Sequence, residues 1–208
     1  MLATLARLLT VFLLISITSC AGTTPPSRFY LLTPLADSGL TGTKADFPRD
    51  IAIGIGPVSF PEYLNRPQIV SRADDNELHL AEFHRWAESL SQNFTRVLAE
   101  NLATLLGIDH IAVYPWKHSD VLNYRIKLDV VRLEGSPGGE TFLKARWSIL
   151  NGNGKKMFIV KTSQLHEATD GRGHDALVAA ESRLLESLSR EIAMSRNEIH
   201  QGNSSQQR

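Results

Sequence analysis

One thiol stands in the 208-residue chain, Cys20, directly after an apolar run, LLTVFLLISI, from Leu8 to Ile17. Without a second cysteine it can close no intramolecular disulfide and join no multi-cysteine metal site. What remains to it is nucleophilic sulfur chemistry. Seven histidines could supply a general base or a metal ligand. No two of them have the i, i+4 spacing that brings imidazoles together on a helix, so His79, His84, His166 and His174 are expected as surface or hydrogen-bonded side chains. GIGPVS, from Gly54 to Ser59, opens like a dinucleotide fingerprint, but Ser59 replaces the third glycine and Pro57 has no N–H for a pyrophosphate. The sequence contains no P-loop, no G-x-S-x-G and no H-E-x-x-H. Nothing singles out one serine as the nucleophile of a Ser/His/Asp triad. The expectation is a protein with no catalytic, cofactor or metal site.

The setting of Cys20 gives its chemistry direction. A free amine and Arg7 precede the apolar run, Thr18 and Ser19 end it, and Pro25 and Pro26 follow soon after the thiol. That is the three-part pattern of a secretory signal, and the run falls short of the roughly 20 apolar residues of a membrane span. Ile17, Thr18, Ser19 and Cys20 resemble a bacterial lipobox, with Ile17 for its usual Leu and Ser19 for Gly or Ala. Residues 1–19 are thus expected as a lipoprotein signal peptide and Cys20 as the lipid attachment site. Residues 20–27 then form a lipidated tether, whose seven residues Ala21 to Ser27 reach at most about 25 Å. Ala21 follows the cysteine where inner-membrane retention in enterobacterial lipoproteins uses aspartate. This suggests an outer-membrane location facing the periplasm.

Composition narrows the partners. With 22 basic and 22 acidic side chains, the chain lacks the concentrated positive field that nucleic acid or a polybasic membrane patch needs. Its length and 42% hydrophobic content suit one domain with one core, expected over residues 28–196, with a disordered polar tail at 197–208.

Periodicity then supplies the elements. RFYLL from Arg28 reads as a strand and residues 33–50 as a loop. In the next strand Ile51, Ile53 and Ile55 share one face, while Ala52, Gly54 and Gly56 leave the other nearly bare, inviting a helix or another chain. QIVSR and NELHLAEF read as a strand pair. Phe83, Trp86, Leu90, Phe94, Val97, Leu98, Leu102, Leu105 and Leu106 recur at helical spacing up to Gly107, predicting a helix over 84–106. HIAVYP and NYRIKLDVVRLEG are strands, and NGNG at 151–154 joins two more as a hairpin. Asp175 is expected to cap a second helix that buries Leu177, Leu184, Leu185, Leu188 and Ile192. The fold class is α/β, a three-layer arrangement of a mixed sheet and two long amphipathic helices, its order hinting at an internal β-β-β-α duplication.

One segment carries a contact signal. In PEYLNRPQ, three amphipathic groups and a leucine sit in a proline-stiffened turn. The two helices already account for the large core residues, so Tyr63, Leu64, Arg66 and Gln68 are the candidate partner-binding residues. At IGPVSFPEYLNRPQIVSR, WAESLSQNFTRVLAENLATLLG, RFYLL and the lipobox, the chain resembles the ABC-type transport auxiliary lipoprotein family, the PqiC-like lipoproteins, from Cys20 to about Ile192. The resemblance implies a periplasmic accessory of an ABC transporter whose second component carries MCE domains, moving lipids or other hydrophobic compounds across the envelope. It implies an MCE-domain protein and a permease/ATPase complex as partners, no enzyme activity and no cofactor. A homo-oligomer is left open. Two alternatives are an outer-membrane lipoprotein regulator of cell-wall synthesis and a periplasmic hydrolase.

Overall fold

The computed structural model describes residues 25–36, 51–117 and 121–195. The signal peptide, Cys20, most of the tether, most of the 33–50 loop and the 197–208 tail lie outside these residues. Strand β1 (Arg28–Tyr30) is followed by β2 (Ala52–Ser59), a single 3-10 turn (Glu62–Leu64), β3 (Gln68–Arg72), β4 (Leu78–Trp86) and helix α1 (Leu90–Leu106). Then come β5 (His110–Val113), β6 (Tyr124–Gly135), β7 (Glu140–Asn151), β8 (Met157–Ala168) and helix α2 (His174–Met194). The strands form two mixed sheets, one of order β1-β4-β3 and one of order β5-β2-β6-β7-β8. The α/β class with two long helices holds.

Two expectations are corrected. The first helix begins at Leu90 rather than 84, because His84, Arg85 and Trp86 pair in parallel with Arg28, Phe29 and Tyr30. Phe83 and Trp86 imitate the helical spacing, but the backbone of β1 takes the hydrogen bonds that a helix would need. The second helix starts with Gly173 as its N-cap, and Asp175 lies inside its first turn. At the other end of α1, Gly107 stops the helix as expected. It adopts φ 64°, the left-handed region that glycine reaches at little cost, and its N–H bonds to the Ala103 carbonyl.

The duplication is only one of element order. Four strands precede each helix, yet β1, β3 and β4 of the first half form the small sheet, while all four strands of the second half join the large one. β2 alone crosses over, lying parallel between β5 and β6. Its bare face is taken up by the chain itself rather than by a helix among the described residues. A Cβ on Gly54 would come within 2.6 Å of Leu122 and 2.8 Å of Trp116, so the chain's own return from β5 to β6 occupies that face.

Both helices pack against each other and on one face of the large sheet, α1 over β2 and β5, α2 over β6 to β8. The expected core side chains of both helices are buried there. On β6 and β7 the opposite face carries Lys127, Asp129, Lys144 and Arg146, in alternation with buried Ile126, Leu128, Val130, Ala145 and Trp147. That is how an antiparallel sheet solvated on one side reads.

Candidate functional site

Three polar constellations are built into this frame. The first holds the chain that emerges from β1. Along residues 32–35 the backbone runs between the two helices. Asn93 Oδ1 on α1 accepts the Leu32 N–H at 2.6 Å, Ser182 Oγ on α2 accepts the Thr33 N–H at 3.2 Å, and Asn101 Oδ1 accepts the Leu35 N–H at 2.8 Å. Asn101 Nδ2 donates in turn to Ser189 Oγ at 3.2 Å. As the segment advances from Asn93 to Asn101 it is met by Ser182 and then by Ser189, so the helices run parallel with this strap in their seam. Both asparagines are fully buried, where a polar atom left unbonded is costly; both Oδ1 atoms and Asn101 Nδ2 are bonded, and Asn93 Nδ2 has no partner.

The second constellation lies where β3 meets β6. Glu134 is 1% exposed and is held by two guanidinium groups. Arg72 donates through Nε and an Nη at 2.8 Å each, and Arg132 Nε bonds Glu134 Oε1. Arg132 also lies over the Phe142 ring, and Glu140 bonds His166 at 2.9 Å nearby. These side chains, with Gln164 and Ser136, line an open recess of about 370 Å³.

The third is aromatic. Tyr30 bonds His84 Nδ1 at 2.7 Å, and the His84 ring stacks on His174 with centroids 4.0 Å apart. Residues 90 positions apart in sequence are thereby brought together, which local spacing could not reveal. Burial, then the neighbouring His84 and His79, hold the His174 imidazole below its usual range against the opposing pull of Asp175. Its Nε2 is buried without a partner.

The predicted partner turn is placed beside the second constellation. Leu64, at 4% exposure, belongs to the core, which corrects the expectation that the Tyr-Leu pair stands outside it. The 3-10 turn carries this leucine inward, into the one core cluster that also holds Ile69 and Val70 of β3. Tyr63 is half-buried against the same core, and burial followed by Glu134 pushes its phenol up, with Arg72 and Arg132 opposing. Arg66 is half-buried with its Nε unpartnered, and Gln68 opens β3 opposite Arg85. The exposed residues of the turn are Glu62, Asn65 and Pro67. Cys20 lies outside the described residues.

Among the described residues no group of three or more His, Cys, Asp or Glu is arranged to hold a metal ion. No helix among them is long and apolar enough to cross a membrane. The arrangement is an α/β domain whose buried polar groups fix its own segments and whose N-terminal strap is tied to both helices.

The model of the ABC-type transport auxiliary lipoprotein component family matches residues 30–193, and the chain belongs to that family. The matched span begins in β1 and ends in α2, so it takes in the strap, the turn and the paired arginines. Two solved structures share the fold. One is an uncharacterized protein, 19% identical over 82% of this chain and 99% of that one, TM-score 0.66. The other is a Xanthomonas campestris protein of the DUF330 family, 15% identical over 86% and 99%, TM-score 0.67. A PelC dodecamer from Paraburkholderia phytofirmans, 12% identical with TM-score 0.40 over 70% and 91%, is too distant to inform the reading. No curated protein is significantly similar to the chain.

Proposed function

We propose that this protein is a lipid-anchored docking adaptor, acting without catalysis, that ties an ABC transporter complex and its MCE-domain component to the outer membrane. Such a system would move lipids or other hydrophobic compounds across the envelope. The observation that carries the reading is the family match over nearly the whole described domain. Two features support it. Cys20 is a lone thiol at a signal boundary, and the chain leaving it is bound to both helices within a few residues of β1, so force on the anchor reaches the whole domain. Ala21 favours sorting to the outer membrane. On the turn, Tyr63 and Arg66 with the exposed Glu62, Asn65 and Pro67 form the partner contact, and Leu64 supports them from beneath.

Affinity purification of the lipidated protein from detergent extracts tests this. Co-purification of an MCE-domain protein with a permease and ATPase is expected, and Arg66→Ala should weaken that association by about 1–2 kcal/mol, as loss of an interface anchor does. Recovery of the protein without any of the three components would overturn the adaptor reading. Mass spectrometry of the mature N-terminus should find an acylated Cys20, and a membrane density gradient should place it with outer-membrane markers.

A further inference from the structure

We infer that Phe29 and Leu31 are a membrane-contact element, inserting their side chains into the lipid surface that holds the anchor. The inference rests on acylation of Cys20. From Tyr30 to Leu32 the chain alternates strictly, with Tyr30 packed against the core, Leu31 outside and Leu32 at 2% exposure inside. Phe29, at 64%, and Leu31, at 43%, are the outward positions. On a strand solvated on one side those positions are ordinarily polar. Fraying does not account for the exposure. The Tyr30 carbonyl accepts the Ala87 N–H at 2.9 Å, and the N–H groups of Leu32, Thr33 and Leu35 are all bound by helix side chains. The two apolar groups are held outward by a fixed backbone.

β1 is also an edge strand, hydrogen-bonded within its sheet only to β4, and Phe29 and Leu31 are exposed among the described residues. What would cover them follows from the chain that precedes β1. Phe29 lies nine positions after Cys20, a reach of about 30 Å at full extension and much less for an ordinary tether. An acylated Cys20 would therefore keep Phe29 near the bilayer surface, where aromatic and aliphatic side chains gain by entering the interface. Arg28, exposed beside Phe29, suits the headgroup level. A second binding signal beside the acyl chains would also orient the domain, because the strap leaves β1 no freedom to pivot against the helices.

The test uses the full lipidated protein carrying Phe29→Trp, reconstituted in phosphatidylethanolamine/phosphatidylglycerol vesicles with or without brominated acyl chains. Of the three tryptophans Trp86 and Trp147 are buried and Trp116 is half-buried, so the unsubstituted protein is measured in the same vesicles and the emission added over it reports position 29. Brominated lipid should quench that added emission by about half or more, as for an interfacial indole. A Val160→Trp control on the open face of the large sheet should be unaffected. Protein that floats with the vesicles while its added emission is untouched by bromine would overturn the membrane contact and leave the anchor standing. Protein that fails to float would overturn the anchoring and this inference together.

Discussion

Glu134 and Glu181 are almost equally withdrawn from water, at 1% and 3% exposure, and they sit in opposite settings. Glu134, near the end of β6, receives three N–H groups from Arg72 and Arg132. Glu181, in the middle of α2, has an Oε2 with no hydrogen-bond partner, and burial alone pushes its carboxyl up to about 8. One acid joins two sheets as part of an ion pair. The other is buried on α2 as a neutral acid. Burial therefore does not decide what a carboxyl contributes to a fold; the groups that arrive with it do.

The largest effect should come from breaking the paired site. Glu134→Ala leaves two guanidinium groups converging on an apolar gap, and loss of one partner from a buried ion pair costs about 3–5 kcal/mol. Arg72 and Arg132 are themselves partly exposed, so the lower end of that range applies. Urea denaturation should show the midpoint falling accordingly. A cost below about 1 kcal/mol would mean that the cluster behaves like a surface pair and that the contrast with Glu181 is empty.

Removing the unpaired acid should act in the opposite direction. The unfolded chain ionises Glu181 from about pH 4.5 upward, whereas the folded protein retains the proton until about 8. The folded state binds more protons throughout that window. Stability should accordingly fall as pH rises from about 4.5 to 8, by up to about 1.4 kcal/mol per pH unit, and level off on either side. Glu181→Gln keeps the shape and removes the titration. It should flatten the slope and raise stability at pH 7 by up to about 3 kcal/mol. Equal slopes for the two proteins in a pH series of melting curves would contradict the assignment.

The two sites also show what could be read in advance. Elements declared by contiguous residues were legible: the NGNG hairpin, the alternation in β6, the Gly107 stop and the inward leucines of α2. Where the sequence misled, a contact from far along the chain had decided the outcome. Trp86 sits at helical distance from Leu90, but β1 recruits it into a strand from more than 50 residues away. Arg72 and Glu134 are separated by 62 positions and His84 and His174 by 90, so neither cluster has a local signature. Leu64 reads as a surface residue because the helices already supply a core, whereas that core extends to the small sheet and takes in Leu64 with Ile69, Val70 and Ala81. The strap did leave one trace. Asn93 and Asn101 interrupt the apolar face of α1, and a buried asparagine in a helix asks for a backbone to hold.

Those asparagines sharpen the comparison at intermediate size, since they are paired like Glu134 but uncharged. Asn101→Ala removes the acceptor of the Leu35 N–H and leaves that group buried, at a cost of about 1–3 kcal/mol. Amide exchange should show lost protection at Leu35 first, with β6 and β7 unchanged until global unfolding. Uniform loss of protection throughout the domain would mean that the strap is no separate local unit.

The smallest effect belongs to His174, the basic counterpart of Glu181, since it too is shifted chiefly by burial and has a buried nitrogen without a partner. Its sign is the reverse. The folded imidazole titrates below its ordinary range, so below about pH 6.5 the unfolded chain takes up a proton that the folded one still refuses. The stability present above pH 6.5 is then lost as pH falls toward the folded value. His174 is only half-buried, and solvent screening holds the effect to less than about 1 kcal/mol. His174→Asn should remove that acid-side loss and leave the slope caused by Glu181 intact. Because the His84 ring lies 4.0 Å from His174 and is bonded in turn by Tyr30, the variant should also move the ring-proton chemical shifts of His84, which the stacked imidazole perturbs. Unmoved His84 ring-proton shifts would show that the two rings do not stack in solution. The acid-side loss would then be assigned to burial of His174 alone.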